Sequence, residues 1–344
     1  MAYLRNAWYV AAWSAELAAG KLLSRRLLDE PIALYRDQEG RPCAIADRCP
    51  HRFAPLSMGT LVAGVVQCPY HGLRFDSTGA CVHNPHGPPP RAARVKAYPV
   101  VERYSAIWIW MGDPARSATD LIPEFDFLVP DDWYVGTGYM AIEAGYELEI
   151  DNILDLSHIE FLHPIFSSEA VSRGEVRCSQ DGETVWSRRF IRHDTPPPFI
   201  YEAFNIPDGS LVDRWLDVRW HAPALMALWS GGVVSDRPKE EGVNVPSAHL
   251  FTPESTSRTH YFYAISFPKS LGPAGEGMAR ANVQVLRGPF ESEDKPIIEA
   301  VARSMGGADF WSLNPVLLRG DEAAVRARRV LEKRIAAEIE GVGG

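Results

Sequence analysis

The apolar positions of the chain change rhythm about one third of the way along. Before that point they come in short runs divided by turn residues. Trp8-Tyr9-Val10 reads as a strand, followed by a short helix over residues 14–19. Ile32-Ala33-Leu34-Tyr35 and Ala44-Ile45-Ala46 flank a break containing Gly40, a hairpin pattern. Further strands are expected over residues 61–67 and 95–101. Ala106-Ile107-Trp108-Ile109-Trp110-Met111 is an apolar run of strand length, closed by Gly112-Asp113-Pro114, and Pro88-Pro89-Pro90 marks a loop. The pattern predicts a small all-β domain over residues 1–115.

Residues 116–344 mix two periods. Residues 144–161 are helical in spacing, whereas residues 175–267 alternate as strands and loops, broken at Pro196-Pro197-Pro198. A helix is expected over residues 289–304. Another covers residues 322–339, with Val325, Val330, Leu331, Ile335 and Ile339 on roughly one side. No fixed-period repeat is present, so the second domain reads as α+β rather than a parallel αβ repeat.

Composition narrows the function. With 35 basic and 44 acidic residues in 344, the net charge of -9 argues against a general nucleic-acid binder. No apolar run approaches the ~20 residues that span a bilayer. Residues 7–20 are fairly apolar, but Ser14 and Glu16 interrupt them and only Arg5 is basic before them, so they do not read as a secretion signal. A cytoplasmic location is the expectation. Five cysteines are too few for a disulfide framework and fit a reducing compartment.

The cysteines matter through their neighbours. Cys49-Pro50-His51-Arg52 is followed by Cys68-Pro69-Tyr70-His71-Gly72, with sixteen residues between His51 and Cys68. Two such loops can hold a zinc ion or a two-iron cluster. Zinc fingers keep like ligands together. Here each loop supplies one thiolate and one imidazole, which suits a [2Fe–2S] cluster with two Cys on one iron and two His on the other. Pro50, Pro69 and Gly72 allow tight loops whose N–H groups can face sulfide. Cys43, Cys81 and Cys178 read as small buried hydrophobes, and His83 and His86 as surface or turn residues.

These loops resemble those of the Rieske iron–sulfur proteins. The high-potential carriers of that group have an extra cysteine in each loop; Ala54 and Tyr70 stand at those positions, so the resemblance is to the oxygenase branch. A second motif agrees. Asn152, Asp155 and His158 are spaced by three and share a helical face, while His163 is rotated off it. Pro164 disfavours helical geometry at His163, so the helix should end or deform there. Two histidines and a carboxylate with open positions make the facial triad of non-haem Fe(II) oxygenases. Rieske oxygenases carry Asp/Asn-x2-Asp-x2-His-x4-His, matched here by Asn152, Asp155, His158 and His163.

Residue chemistry alone leaves Glu291, Glu293, Asp294 and Glu299 open as the third ligand; the resemblance selects Asp294. Asp155 stands one turn before His158, placed to hydrogen-bond that ring. The resemblance implies that it also contacts a cluster histidine of a neighbouring subunit, for which His71 is the candidate, in a head-to-tail homotrimer. Asn152 is expected to orient the site or contact iron-bound solvent.

Asn6-Ala7-Trp8-Tyr9-Val10, the run from His51 to Ser57, Asn84-Pro85-His86-Gly87, Phe251-Thr252-Pro253-Glu254 and the run from Asp321 to Val325 are similar to the vanillate and dicamba O-demethylase group. That resemblance implies a helix-grip catalytic domain over residues 116–344 and a terminal oxygenase. It also implies O2 as co-substrate and electrons from NAD(P)H through a separate reductase or ferredoxin. The substrate would be a small aromatic, a methoxylated aromatic acid losing formaldehyde. Ring hydroxylation or dihydroxylation, a non-enzymatic electron carrier and a zinc module are the other readings. The likeness thins over residues 165–290, which would line the pocket. Trp229, His249 and Val285 are possible substrate contacts, and Arg214 and Arg219 read as structural ion pairs with Asp213 and Asp217 nearby.

Overall fold

A computed structural model describes residues 3–341. The chain forms two compact units, Met1–Ile122 with Thr252–Thr256, and Pro123–Phe251 with Ser257–Gly344.

The first unit consists of small antiparallel sheets. Trp8–Trp13, Ala106–Trp110 and Val100–Arg103 form one. Leu23–Leu27, Glu30–Arg36, Pro42–Ala46 and Ala97–Tyr98 form a second, and Thr60–Val62, Val65–Gln67, Arg74–Phe75 and Cys81–His83 a third. Three expectations are corrected locally. The strand expected over residues 61–67 is a hairpin, because Ala63 (φ 54°) and Gly64 (φ 73°) both adopt the positive φ that a tight hairpin turn requires. The strand over 95–101 divides at Pro99, which lacks an N–H for the ladder. The helix over 14–19 is only a 3-10 turn, Ser14–Glu16, whose Glu16 carboxylate accepts from Trp13 N at 2.8 Å. Thr252 Oγ1 donates to Val10 O at 2.7 Å and Asp29 N to Glu254 O at 3.0 Å, tying Thr252–Thr256 into this unit.

The second unit is α+β around a seven-stranded antiparallel sheet. Its strands are β1 (Trp133–Ile142), β2 (Glu175–Asp181), β3 (Thr184–Asp194), β4 (Val212–His221), β5 (Leu225–Val234), β6 (Val243–Ser255) and β7 (Arg258–Pro268), in the order β1-β7-β6-β5-β4-β3-β2. β3 shows the half-buried alternation of a strand: Val185, Ser187, Arg189 and Ile191 are buried between more accessible neighbours.

Helix α1 (Tyr146–Leu154) contacts β4. Helix α2 (Pro273–Pro289) runs into a π-helical turn, Phe290–Asp294, and then α3 (Lys295–Met305); α4 (Glu322–Ile339) closes the chain. α2 packs across β1 and β7. The approach is so close that a Cβ on Gly136 would collide with the Ala279 carbonyl oxygen. The helix expected over 289–304 therefore begins sixteen residues earlier, at Pro273. Gly275 and Gly277 weaken its helical signal, and burial of one face against the sheet overrides that weakness.

Candidate active site and cofactor sites

The two Cys-His loops repeat one hydrogen-bond pattern. Cys49 N donates to Ala54 O (2.9 Å) and Phe53 N to Cys49 O (2.9 Å); Cys68 N donates to Leu73 O (2.8 Å) and Gly72 N to Cys68 O (3.2 Å). The fourth residue after each cysteine is left-handed, Phe53 at φ 60° and Gly72 at φ 72°. Cys49 and Cys68 are buried in a core with Tyr35, Ile45, Val66 and Phe75. The rings of His51 and His71 meet edge to face with centroids 4.5 Å apart. Two buried thiols opposite two accessible imidazoles suit a cluster with a sulfur-ligated and a nitrogen-ligated iron. Cys43 packs in the same core, with Cys81 against it.

In the second unit, α1 stops at Leu154. Asp155 leaves helical geometry (φ -118°, ψ 89°) and caps the next turn by accepting from Ser157 N at 3.0 Å. Leu156–His158 is 3-10 and Ile159–Leu162 a single α turn. His163 then exits the helix at φ -118°, ψ 82°, the deformation that Pro164 demands. These two breaks bring His158 and His163 to Asp294 at the end of the π turn. Nitrogen and oxygen ligand atoms of the three lie within 4.8 Å of one another. His163 Nε2 is 3.2 Å and His158 Nε2 3.5 Å from Asp294 Oδ1, to which Asn152 Nδ2 also donates at 3.1 Å.

The outer faces of both rings are anchored. His158 Nδ1 is 2.8 Å from the Asp155 main-chain oxygen, and His163 Nδ1 is 2.6 Å from Glu293 Oε2. Acceptors there assign the proton to Nδ1 and leave the Nε2 lone pairs facing Asp294. Burial lowers the pKa of His158. Burial also pulls His163 down, but its hydrogen bonds and charge interactions with Asp294 and Glu293 outweigh this and raise its pKa. The donor set fits one divalent iron with open positions.

The Asp155 expectation needs correction. Its carboxylate does not meet the His158 ring; the main-chain carbonyl does. The carboxylate accepts from Arg189 Nη2 at 2.8 Å and from the Ser157 hydroxyl at 2.9 Å. The reason is the chain break: an unbroken helix would stack the two side chains, whereas Asp155 turns outward to cap the next element.

A cavity of about 170 Å³ opens beside the three ligands. Leu156, Phe166, Ile191, Phe199, Val245 and Phe290 give it a largely apolar wall. His249 and Val285 both line it. His249 is fully enclosed, its Nδ1 2.6 Å from the Tyr261 hydroxyl and its Nε2 3.1 Å from Ser247 Oγ; burial pushes its pKa down to about 4. Trp229 is corrected: Leu228 and Ser230 face the cavity, so strand alternation turns Trp229 to the other side of β5, where it stacks on Trp186 (5.5 Å). The arginine pairings also differ from expectation. Arg214 lies 2.6 Å from Asp194 rather than on Asp213, and Arg219 bonds the Glu124 carbonyl and stacks over Phe125 and Trp229.

Residues 7–99 match the Rieske [2Fe-2S] domain family, and residues 142–337, more than half the chain, match the vanillate O-demethylase oxygenase C-terminal domain family. The chain belongs to the Rieske oxygenases of the vanillate O-demethylase type. Among relatives of this family, it is 39% identical to the chloroacetanilide N-alkylformylase oxygenase component of Rhizorhabdus wittichii, covering 98% of this chain and 97% of that protein. It is likewise 39% identical to the dicamba O-demethylase oxygenase component of Stenotrophomonas maltophilia, covering 97% and 98%. The crystal structure of dicamba monooxygenase with 3,6-dichlorosalicylic acid superposes with a TM-score of 0.92 at 37% identity, covering 98% of this chain and 99% of that one. As a Rieske oxygenase the chain is an enzyme that carries a [2Fe–2S] cluster and a mononuclear iron.

Sequence reasoning left Glu293 among open ligand candidates and did not reach Arg189 or the Ser247–His249–Tyr261 chain. Arg189 carried a readable signal, a cation in the buried phase of an alternating strand. The others depend on contacts between distant segments.

Proposed function

We propose that this chain is the terminal oxygenase of an O-demethylating system for a methoxylated aromatic substrate. In this reading Cys49, Cys68, His51 and His71 hold the cluster, and His158, His163 and Asp294 hold the iron. The observation that carries the reading is the juxtaposition of a three-ligand face with an apolar cavity of ring size. A cavity of about 150 Å³ suffices for benzene, and this one measures about 170 Å³.

When bound, the two iron groups supply stepwise electron delivery and O2 activation. The remaining work falls to the chain. The apolar wall orients the ring and excludes water. Glu293 and the Asp155 carbonyl fix the ligand tautomers, and Asn152 holds the Asp294 carboxylate in place. The net change inserts one oxygen atom into a methyl C–H bond: ArOCH3 with O2, two electrons and two protons gives ArOCH2OH and water. The hemiacetal then separates into the phenol and formaldehyde.

Electrons come from NAD(P)H through a separate reductase, directly or through a ferredoxin, as the name "oxygenase component" among the relatives supports. The working unit is a homotrimer in the cytoplasm. There His71 of one subunit meets Asp155 of the next; the accessible rim of His51 and His71 suits such transfer.

Single turnover tests this. Reduced, iron-loaded protein is mixed with O2 and a panel of methoxylated aromatics, and cluster reoxidation and formaldehyde are followed together. Substrate-dependent reoxidation with formaldehyde is expected. A hydroxylated product without formaldehyde would retain the oxygenase and discard demethylation. Unchanged reoxidation across the panel on a sample with three irons per chain would discard both.

A further inference from the structure

The cavity's charge inventory says more about its substrate than its shape does. Among the described residues lining it, Arg214 is the sole arginine or lysine. That guanidinium is already neutralised: Asp194 Oδ2 lies 2.6 Å away, and both side chains are at least nine-tenths buried. Its Nη atoms are further used by Phe166 O at 3.3 Å and Ser168 Oγ at 3.0 Å. Arg214 Nε is buried and has no acceptor. Paired with Asp194, Arg214 brings no net charge to the pocket.

The other polar groups are neutral as well. Ser230, Ser247, Asn282 and Asn152 carry no charge. His249 is enclosed between Tyr261 and Ser247, each within hydrogen-bond reach of one ring nitrogen. A phenol and a hydroxyl can satisfy a neutral imidazole, since one nitrogen accepts and the other donates; neither supplies the negative charge that would hold an imidazolium. At the metal end, Asp294 is committed to the ligand set.

Apart from the iron that His158, His163 and Asp294 would hold, a carboxylate entering this cavity would lose its hydration shell without gaining an unpaired cationic side chain. Burial of an unpaired ion is costly, whereas a neutral oxygen acceptor needs one or two donors only. Asn152 and Asn282 line the cavity and each has one of its two amide N–H groups assigned, to Asp294 Oδ1 and Met278 O, which leaves that number of donors.

We propose that this oxygenase selects an uncharged aromatic substrate bearing a neutral oxygen acceptor, such as an amide or ether, over the corresponding carboxylate. The inference rests on the reading of this cavity as the oxygenase's substrate site.

The test is a matched pair, 2-methoxybenzamide and 2-methoxybenzoate, titrated calorimetrically at pH 7.5 into iron-loaded protein with the cluster oxidised, so that binding is read without turnover. The amide should bind at least tenfold more tightly. Equal or tighter binding of the benzoate overturns the proposal, and so does failure of both to bind at millimolar concentration. Formaldehyde from single turnover is measured on the same samples. Preferential amide binding without formaldehyde would leave the charge inference standing and remove the demethylase reading; formaldehyde from tightly bound benzoate would do the reverse.

Discussion

Glu293 and Asp155 sit behind the two ligand histidines, yet they act through different atoms. Glu293 uses its carboxylate, 2.6 Å from His163 Nδ1, and so both orients the ring and raises its basicity. Glu293→Gln keeps the shape and removes the charge. Iron affinity should fall roughly 10- to 100-fold, the usual loss for such outer partners. Iron titration reads this, with the cluster's visible spectrum unchanged. Asp155 anchors His158 through its main chain, so Asp155→Asn should leave both metal groups in place. It would weaken the charged contact to Arg189 and, if the carboxylate mediates transfer from a neighbouring subunit, abolish cluster oxidation in single turnover. Retention of most activity would discard that bridging role. At this scale the sequence was legible wherever spacing alone sets chemistry, as in the Cys-x-His and Cys-x2-His loops. It was silent where a partner lies far along the chain: Glu293 is 130 residues from His163.

The elements that matter most are irregular ones. The two cluster loops share a pattern that requires a positive φ four residues after each cysteine, and only the second meets it with glycine. Gly72→Ala should cost about 1–2 kcal/mol for the left-handed backbone, and its Cβ would lie 3.2 Å from Pro85 Cγ. The expected result is a lower melting temperature and faster cluster loss, with iron binding at the second site unaltered. The break at Asp155 and the π turn before Lys295 do similar work for the iron ligands, and π turns recur at functional sites. The sequence located the later break, at His163, through Pro164. It missed the earlier break because Asp155 has no local breaker beside it; the cap to Ser157 appears only when the backbone is seen. The face of Trp229 was open for a comparable reason, since a strand's phase is set by which side meets the helices.

Across the whole molecule, acid and alkaline stability should be governed by two buried groups of opposite behaviour. His249 is enclosed and its pKa is pushed from 6.5 to about 4 by burial. The unfolded chain therefore binds more protons in that window, and the stability His249 contributes above pH 6.5 is lost as pH falls toward 4, on the order of 3 kcal/mol. Glu149 on α1 is also fully buried, with Oε1 unpartnered, and burial raises its pKa well above 4.5. Its sign is reversed. The folded state holds the proton more tightly, so its contribution is full below pH 4.5 and lost as pH rises through the folded value. His249→Gln should lower the melting temperature at pH 7 and converge with the parent near pH 4. Glu149→Gln should do little at pH 4 and become increasingly stabilising toward pH 8, because the amide has nothing to ionise. Parallel melting curves for parent and both variants across pH 4–8 check the two slopes. A Glu149→Gln difference that did not grow with pH would mean that the carboxyl is already paired in solution.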